Sequence, residues 1–266
     1  AVLGILKSVN IPKSLEMKIT GESLFNDGVA VVIFLTIFEI TQTGIEQASF
    51  STITGLLLQE AGGGLLFGAL LGYSGYFLLK SIDNYKVEVM ISLAMVVGGY
   101  SLAHSLHVSG PLAMVVAGII IGNRGKKYAM SDETKEYLDK FWELIDEILN
   151  AILFIFIGLE ILIVKKELNY IEIGLISVIL ILVSRYASLW VSSLIMKFKI
   201  TLPKKTIWVL TWGGLRGGIS VALALSLNEA MHKDLFVTIT YVVVLFSIIV
   251  QGLTIGKFVK KLNLQN

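Results

Sequence analysis

Eight apolar stretches, near 20–41, 52–79, 87–106, 109–123, 141–163, 170–196, 204–227 and 235–259, make up most of this 266-residue sequence. A helix needs about 20 residues to cross the roughly 30 Å hydrocarbon core of a bilayer, and all but the short fourth stretch are that long. A chain with 55% hydrophobic and only 16% charged residues, and a mean hydropathy of +0.79, is too apolar for an ordinary water-soluble domain of this length. The expected fold class is an all-α, polytopic membrane protein.

Cytoplasmic loops next to membrane spans carry an excess of Lys and Arg. Alternate loops follow that rule here. Seventeen basic residues fall on one side: Lys7, Lys13 and Lys18, then Lys80 and Lys86, the group from Arg124 to Lys140, the group from Lys197 to Lys205, and Lys257, Lys260 and Lys261. Only Lys165, Lys166 and Lys233 fall on the other, while Arg185 and Arg216 lie inside spans. Eight spans with both ends cytoplasmic follow. The net charge of +2 comes mostly from these loops, so it reports orientation and contact with anionic lipid, not a nucleic-acid partner. Having no Cys excludes disulfides, thiolate catalysis and Cys-ligated metal, and three scattered His make a poor metal cluster.

Residues 1–19 read as the end of a truncated apolar helix, Ala1 to Leu6, plus a cytoplasmic linker containing Pro12; residues 20–266 read as the transmembrane region. Starting on Ala1 in mid-run, without the basic front of a signal peptide, the sequence is expected to be the C-terminal part of a longer protein. The long polar insert Asn123 to Lys140 suggests a surface helix continuing into the fifth span. Gly64, Gly68 and Gly72, and also Gly118 and Gly122, recur at the four-residue spacing of close helix packing.

Polar residues inside the spans carry the functional signal. Gly21-Glu22-Ser23-Leu24-Phe25-Asn26-Asp27-Gly28 runs directly into the apolar stretch Val29 to Phe38. An ionised carboxylate in hydrocarbon is costly unless a partner or a transported ion stabilises it. At 100° per residue, Glu22 and Asn26 share one helix line and Ser23 and Asp27 the adjacent one, so all four are expected to face inward. Ser23 and Asp27 offer oxygen ligands one turn apart, suited to a small hard cation. The competing reading is that the cluster only holds helices together.

Arg185, inside an apolar span, needs a buried anion, and Glu22 is the natural candidate; snorkelling to the cytoplasmic face is the alternative. A fixed Glu22–Arg185 pair leaves Asp27 as the carboxylate free to change state. Trp212-Gly213-Gly214-Leu215-Arg216-Gly217-Gly218 places four glycines around an arginine at depth. Such a segment opens a helix, as in the half-helices that form midplane sites in secondary transporters; two small-residue packing pairs are the alternative. Glu143, Asp146, Glu147 and Asn150 form a stripe that reads first as a solvated face, with Asp146 and Asn150 deep enough to line a funnel to the site.

Two other classes compete. Ser74, in Gly72-Tyr73-Ser74-Gly75, and His104 could form the dyad of an intramembrane serine protease, although packing explains the glycines and a helix-end His is commonly solvated. A passive cation channel is the third, but no selectivity-filter sequence such as TVGYG appears.

Gly21 to Ala30, Gly122-Asn123-Arg124-Gly125, Phe141-Trp142 with Asn150 and Gly158, and Trp212 to Gly217 together resemble the NhaP/NHE-type monovalent cation/proton antiporters over nearly the whole chain. The resemblance implies a transporter, not an enzyme, with thirteen spans of which these are the last eight. It implies two crossed, interrupted helices, core helices mixed with dimer-domain helices, a homodimer, and a plasma (inner) membrane location with a cytoplasmic C-terminus. Asp27 would bind cation and proton, Ser23 would be a nearby ligand, Asn26 a structural neighbour, Glu22 and Arg185 a buried ion pair, and Gly213, Gly214, Arg216 and Gly217 part of the second crossed helix. The family's Thr-Asp-Pro motif would precede Ala1. Away from water, Asp27 can hold a proton or a monovalent cation (Na⁺, or Li⁺ or K⁺) but not comfortably both, so one-for-one, electroneutral exchange serving sodium and pH homeostasis is expected, with no cofactor.

Overall fold

The computed structural model describes residues 13–43, 49–163, 168–195 and 204–261, and among them there is no strand. The expected helix remnant Ala1–Leu6 and loop residues Lys165, Lys166, Lys197 and Lys199 lie outside the described residues. Helix α1 is Lys13–Thr43. Helix α2, Phe50–Leu57, continues through a wide π-turn, Leu58–Gly62, into α3, Gly63–Lys80. Then come α4, Tyr85–Ser105, and α5, Gly110–Ile120, the latter ending in a second π-turn at Ile121–Gly125. Helix α6 is Asp132–Ile163 and α7 is Leu168–Ile195. Helices α8, Lys204–Trp212, and α9, Gly218–Leu225, are separated by non-helical Gly213–Gly217. Helix α10, Lys233–Phe246, passes through a third π-turn, Ser247–Gly252, into α11, Leu253–Lys261.

Among the described residues, Ile19–Gln42, Ser51–Lys80, Tyr85–Ser105, Asn169–Ile195 and Lys233–Lys261 are long and apolar enough to cross a membrane. These coincide with five of the eight expected spans. The other three are helical but not simple spans. Residues 109–123 form an 11-residue helix and part of a π-turn. Residues 141–163 are the second part of the 32-residue α6, whose charged first turns run on without a break. Residues 204–227 are cut in two at the glycines.

The chain divides into two compact units, one of Leu24–Leu149 and the other of Ala1–Ser23 with Asn150–Asn266. In the first, α3 lies against α5. Gly64, Gly68 and Gly72 are buried on that face, and a Cβ added to them would meet the Ser109 carbonyl at 2.8 Å, Ala113 Cα at 2.7 Å and Ala117 Cα at 3.0 Å. Backbones this close give dispersion contact that larger residues would forfeit. Gly118 and Gly122 differ from the sequence reading: nothing lies within 4 Å of either, because α5 turns its Ala113 and Ala117 side to α3 and leaves both glycines exposed. The N-termini are capped locally: Asn84 Oδ1 accepts from Lys86 N at 3.1 Å, and Ser109 Oγ accepts from Leu112 N at 3.4 Å. Glu88, only 1% exposed, accepts from the Thr134 hydroxyl, joining the first turn of α4 to that of α6.

In the second unit, α7 packs on α10 and α9 packs on α10. Gly174 lets α7 approach, since a Cβ there would come 2.8 Å from Val242 Cβ. Ile157, Val221, Ala224, Val237, Tyr241 and Val244 form the core around α9. This packing holds the second half of the broken helix against α6 and α10.

Candidate ion-translocation site

Gly28, Val31, Val32 and Thr36 form the buried stripe of α1, whereas Leu24, Phe25, Val29, Ile33 and Ile37 are exposed. Gly28 lies against Leu112, whose Cδ2 would be 2.7 Å from an added Cβ. Asp27 stands one turn before Val31 at the head of this stripe and is half-buried, as are Glu22 and Asn26, while Ser23 is exposed. Of the four residues expected to face inward, three are thus half-buried and Ser23 is not. Asn26 Nδ2 donates to Asp27 Oδ1 at 3.4 Å, and no charged group bonds to Asp27 among the described residues.

Glu22 is differently placed. Its Oε2 accepts from Arg185 Nη2 at 2.7 Å, with the Arg185 side chain only 10% exposed and that of Glu22 28%. Arg185 Nε also donates to the Leu210 carbonyl at 3.0 Å. That second bond follows from the broken helix, because the last four carbonyls of a helix lack intrahelical partners. A cation there also complements the negative end of the α8 dipole. Gly214 makes room for it, since a Cβ would overlap the guanidinium.

Other carbonyls at the end of α8 are also taken up. Gly213 N donates to Val209 O at 2.7 Å, and Gln251 Nε2 donates to Trp212 O at 3.0 Å. Across the break, Leu215 N donates to Gly213 O at 2.9 Å, and Arg216 is half-buried. Helix α9 then starts from Gly217 in an extended conformation, without a side-chain cap. Two half-helices with opposed dipole ends result, the geometry with which secondary transporters meet ions at depth.

Sequence reasoning passed over Gln251 and Ser247; a lone amide in the apolar run Val242 to Leu253 was the available signal. It also passed over Glu60, in the first π-turn, and Glu88. Each keeps one buried carboxylate oxygen without a hydrogen-bond partner among the described residues. Asp146 is exposed and Asn150 half-buried on α6, next to exposed Glu143 and Glu147. The Ser74–His104 dyad does not form: the Ser74 hydroxyl donates to Leu71 O at 2.8 Å, and both residues are exposed. No group of three or more His, Asp or Glu suited to a multivalent metal occurs among the described residues.

Long apolar helices, a glycine-broken helix and a charge pair within the apolar spans define the chain as an all-α membrane protein. Comparison with known families sharpens this: the model for the transmembrane region of sodium/hydrogen exchangers matches residues 1–261, and the chain belongs to that family. It is 52% identical to the Na(+)/H(+) antiporter NhaP of Pseudomonas aeruginosa over 98% of this chain and 62% of that protein. It is 38% identical to the Na(+)/H(+) antiporter NhaH of Halobacillus dabanensis over 99% of this chain and 65% of that protein. With the low-affinity Na(+)/H(+) antiporter NhaS1 of Synechocystis it shares 34% identity over 99% of this chain and 51% of the relative. The chain thus spans less than two thirds of the length of each of these relatives. It is an integral, multi-pass membrane protein.

Proposed function

We propose that this chain carries the ion-exchanging region of a secondary active antiporter that moves Na⁺ against H⁺ by alternating access. The observation that carries this reading is the unequal treatment of two carboxylates on one helix. Glu22 is neutralised by Arg185 at 2.7 Å, whereas among the described residues Asp27 receives a neutral amide at 3.4 Å and no charged partner. Half-buried Asp27 is left to take its compensating positive charge from a proton or a monovalent cation, one at a time. Ser23, one turn earlier, supplies a further oxygen when the segment faces the ion, and Asn26 orients the carboxylate. The interrupted helix supplies oriented carbonyl and amide ends. The names of the relatives support sodium and protons as the exchanged ions.

If only the occupied forms of Asp27 cross the membrane, each outward cation is matched by an inward proton and the cycle is electroneutral. No cofactor and no covalent chemistry enter it. The working form is a homodimer in the plasma (inner) membrane with its C-terminus cytoplasmic, and Asp146 and Asn150 line the cytoplasmic approach.

The test is Na⁺-driven proton movement in sealed vesicles holding the full-length protein. Asp27→Asn should abolish exchange while the protein still folds and inserts. Residual exchange near the wild-type rate would overturn the assignment of Asp27, and a rate that follows membrane voltage at fixed ion gradients would overturn electroneutrality.

A further inference from the structure

We propose that Gln251 is a positioning residue for cation binding: by engaging the Trp212 carbonyl, its amide fixes the end of the first half-helix and decides which backbone oxygens remain open to the transported ion. This inference rests on the antiport reading.

Gln251 is 2% exposed and sits in the π-turn of the last span. Both ends of its amide are committed. Nε2 donates to Trp212 O at 3.0 Å, and Oε1 accepts from Ser247 Oγ at 2.8 Å, with Ser247 also 2% exposed. The Trp212 carbonyl, which can only accept, therefore dictates that the amide nitrogen faces it, and the Ser247 hydroxyl donates to the other end. The same span holds the Trp212 ring, whose Nε1 donates to Thr254 Oγ1 at 2.9 Å, with Phe258 6.0 Å away between ring centroids. Trp212 is the last residue of α8, so its backbone and its ring are both clamped by the π-turn and the turn after it. Arg185 clamps Leu210 from α7.

An amide that merely joined two helices could bond any polar partner. This one takes a carbonyl that exists only because the helix breaks. Carbonyls at such breaks are the backbone groups that coordinate cations in secondary transporters, and one that accepts from Gln251 is withdrawn from that role. Losing the clamp leaves a buried carbonyl unpaired and a break free to shift, so the cation site loses its preorganisation.

The experiment compares Gln251→Leu, Gln251→Glu and Ser247→Ala in the full-length protein in vesicles. It reads the Na⁺ KM, the maximal rate per folded transporter, and Na⁺-dependent thermal stabilisation. Gln251→Leu should raise the Na⁺ KM about tenfold, the factor that corresponds to one unmade buried hydrogen bond, with the maximal rate per folded transporter largely kept. Gln251→Glu is near-isosteric but can donate only as the carboxylic acid. Its KM should approach wild type as pH falls and match Gln251→Leu at alkaline pH, a signature that simple loss of packing would not produce. Ser247→Ala, which leaves the donor but frees the amide, should shift KM the same way by less, and it decides the matter if Gln251→Leu does not fold. An unchanged KM, with or without a lower folded yield, overturns the proposal. Absence of exchange in the wild type would instead count against antiport, and Na⁺-dependent thermal stabilisation, which needs no proton coupling, would still read cation affinity.

Discussion

Arg185 shows how one side chain can serve two structural needs with a single fork of donors. Its Nη2 neutralises Glu22 and its Nε closes the Leu210 carbonyl; a lysine ammonium is a compact point charge without the planar spread to reach both. Arg185→Lys should therefore leave one buried acceptor unpaired and cost about 1–3 kcal/mol. The melting temperature in detergent measures this, and an unchanged value would refute the double role. Glu22→Gln strands the Arg185 charge, a loss on the order of 3–5 kcal/mol for a fully buried pair. The real cost should fall at the low end or below, since more than a quarter of the Glu22 side chain, 28%, is exposed. Both substitutions should lower stability more than Asp27→Asn does, because among the described residues Asp27 has no cationic partner to strand. At this scale the sequence was informative wherever charge met apolar surroundings. Glu22, Asp27 and Arg185 stand out for that reason, whereas Gln251 carries no charge and its partner is a backbone group that no side-chain pattern announces.

Among the helices, glycines divide by what they touch. Gly214→Ala would push a methyl into the Arg185 guanidinium, and Gly68→Ala one into the Ala113 backbone; each should lower the melting temperature. Gly118→Ala meets nothing within 4 Å and should be neutral or gain about 0.5–1 kcal/mol from reduced chain entropy. Spacing alone could not separate these cases, since Gly64-Gly68-Gly72 and Gly118-Gly122 have the same period and only the face turned to a neighbour distinguishes them. The break at Gly213–Gly217 was legible because four glycines between positions 213 and 218 oppose a continuous helix. The π-turns were not, since they differ from α-helix by one residue of register and leave the apolar pattern nearly intact. The start of α6, outside the spans, gives a pH test. Hydrogen bonds from Lys135 at 2.8 Å and Lys140 at 2.5 Å hold the carboxyls of Asp132 and Glu136 below their ordinary values, and Glu136 raises Lys140. For the depressed carboxyls, the stabilisation is present above the unfolded-state value and is lost as pH falls through the folded one; for Lys140 it is lost only as pH rises through its raised value. Both contributions persist across neutral pH. Carboxyl NMR titration should show Lys135→Ala returning Asp132 to the ordinary range, with high salt narrowing the difference.

For the molecule as a whole, the distribution of Lys and Arg makes the most direct prediction. Because the sequence has no cysteine, single Cys introduced at Lys233 and at Lys260 should react with an impermeant thiol reagent from opposite sides of the membrane. Labelling of both from one side would overturn the assigned topology. The five spans that meet the length and apolarity needed for crossing were legible in composition. The others were harder to read because charge, brevity or a break sets each apart. The π-turn at Ser247–Gly252 has a further consequence for how this span tolerates change in length. A π-turn holds one residue more than an α-helix needs, so removing Ile249 could be absorbed as a regular helix with the span still crossing. Because a π-turn winds less per residue than an α-helix, the deleted residue takes its surplus with it, and Thr254 and Phe258 beyond it keep nearly the same face toward Trp212. The span can thus give up one residue at this turn and keep its outer half in register, whereas a deletion in the regular helix Lys233–Phe246 would rotate that half by roughly 100°.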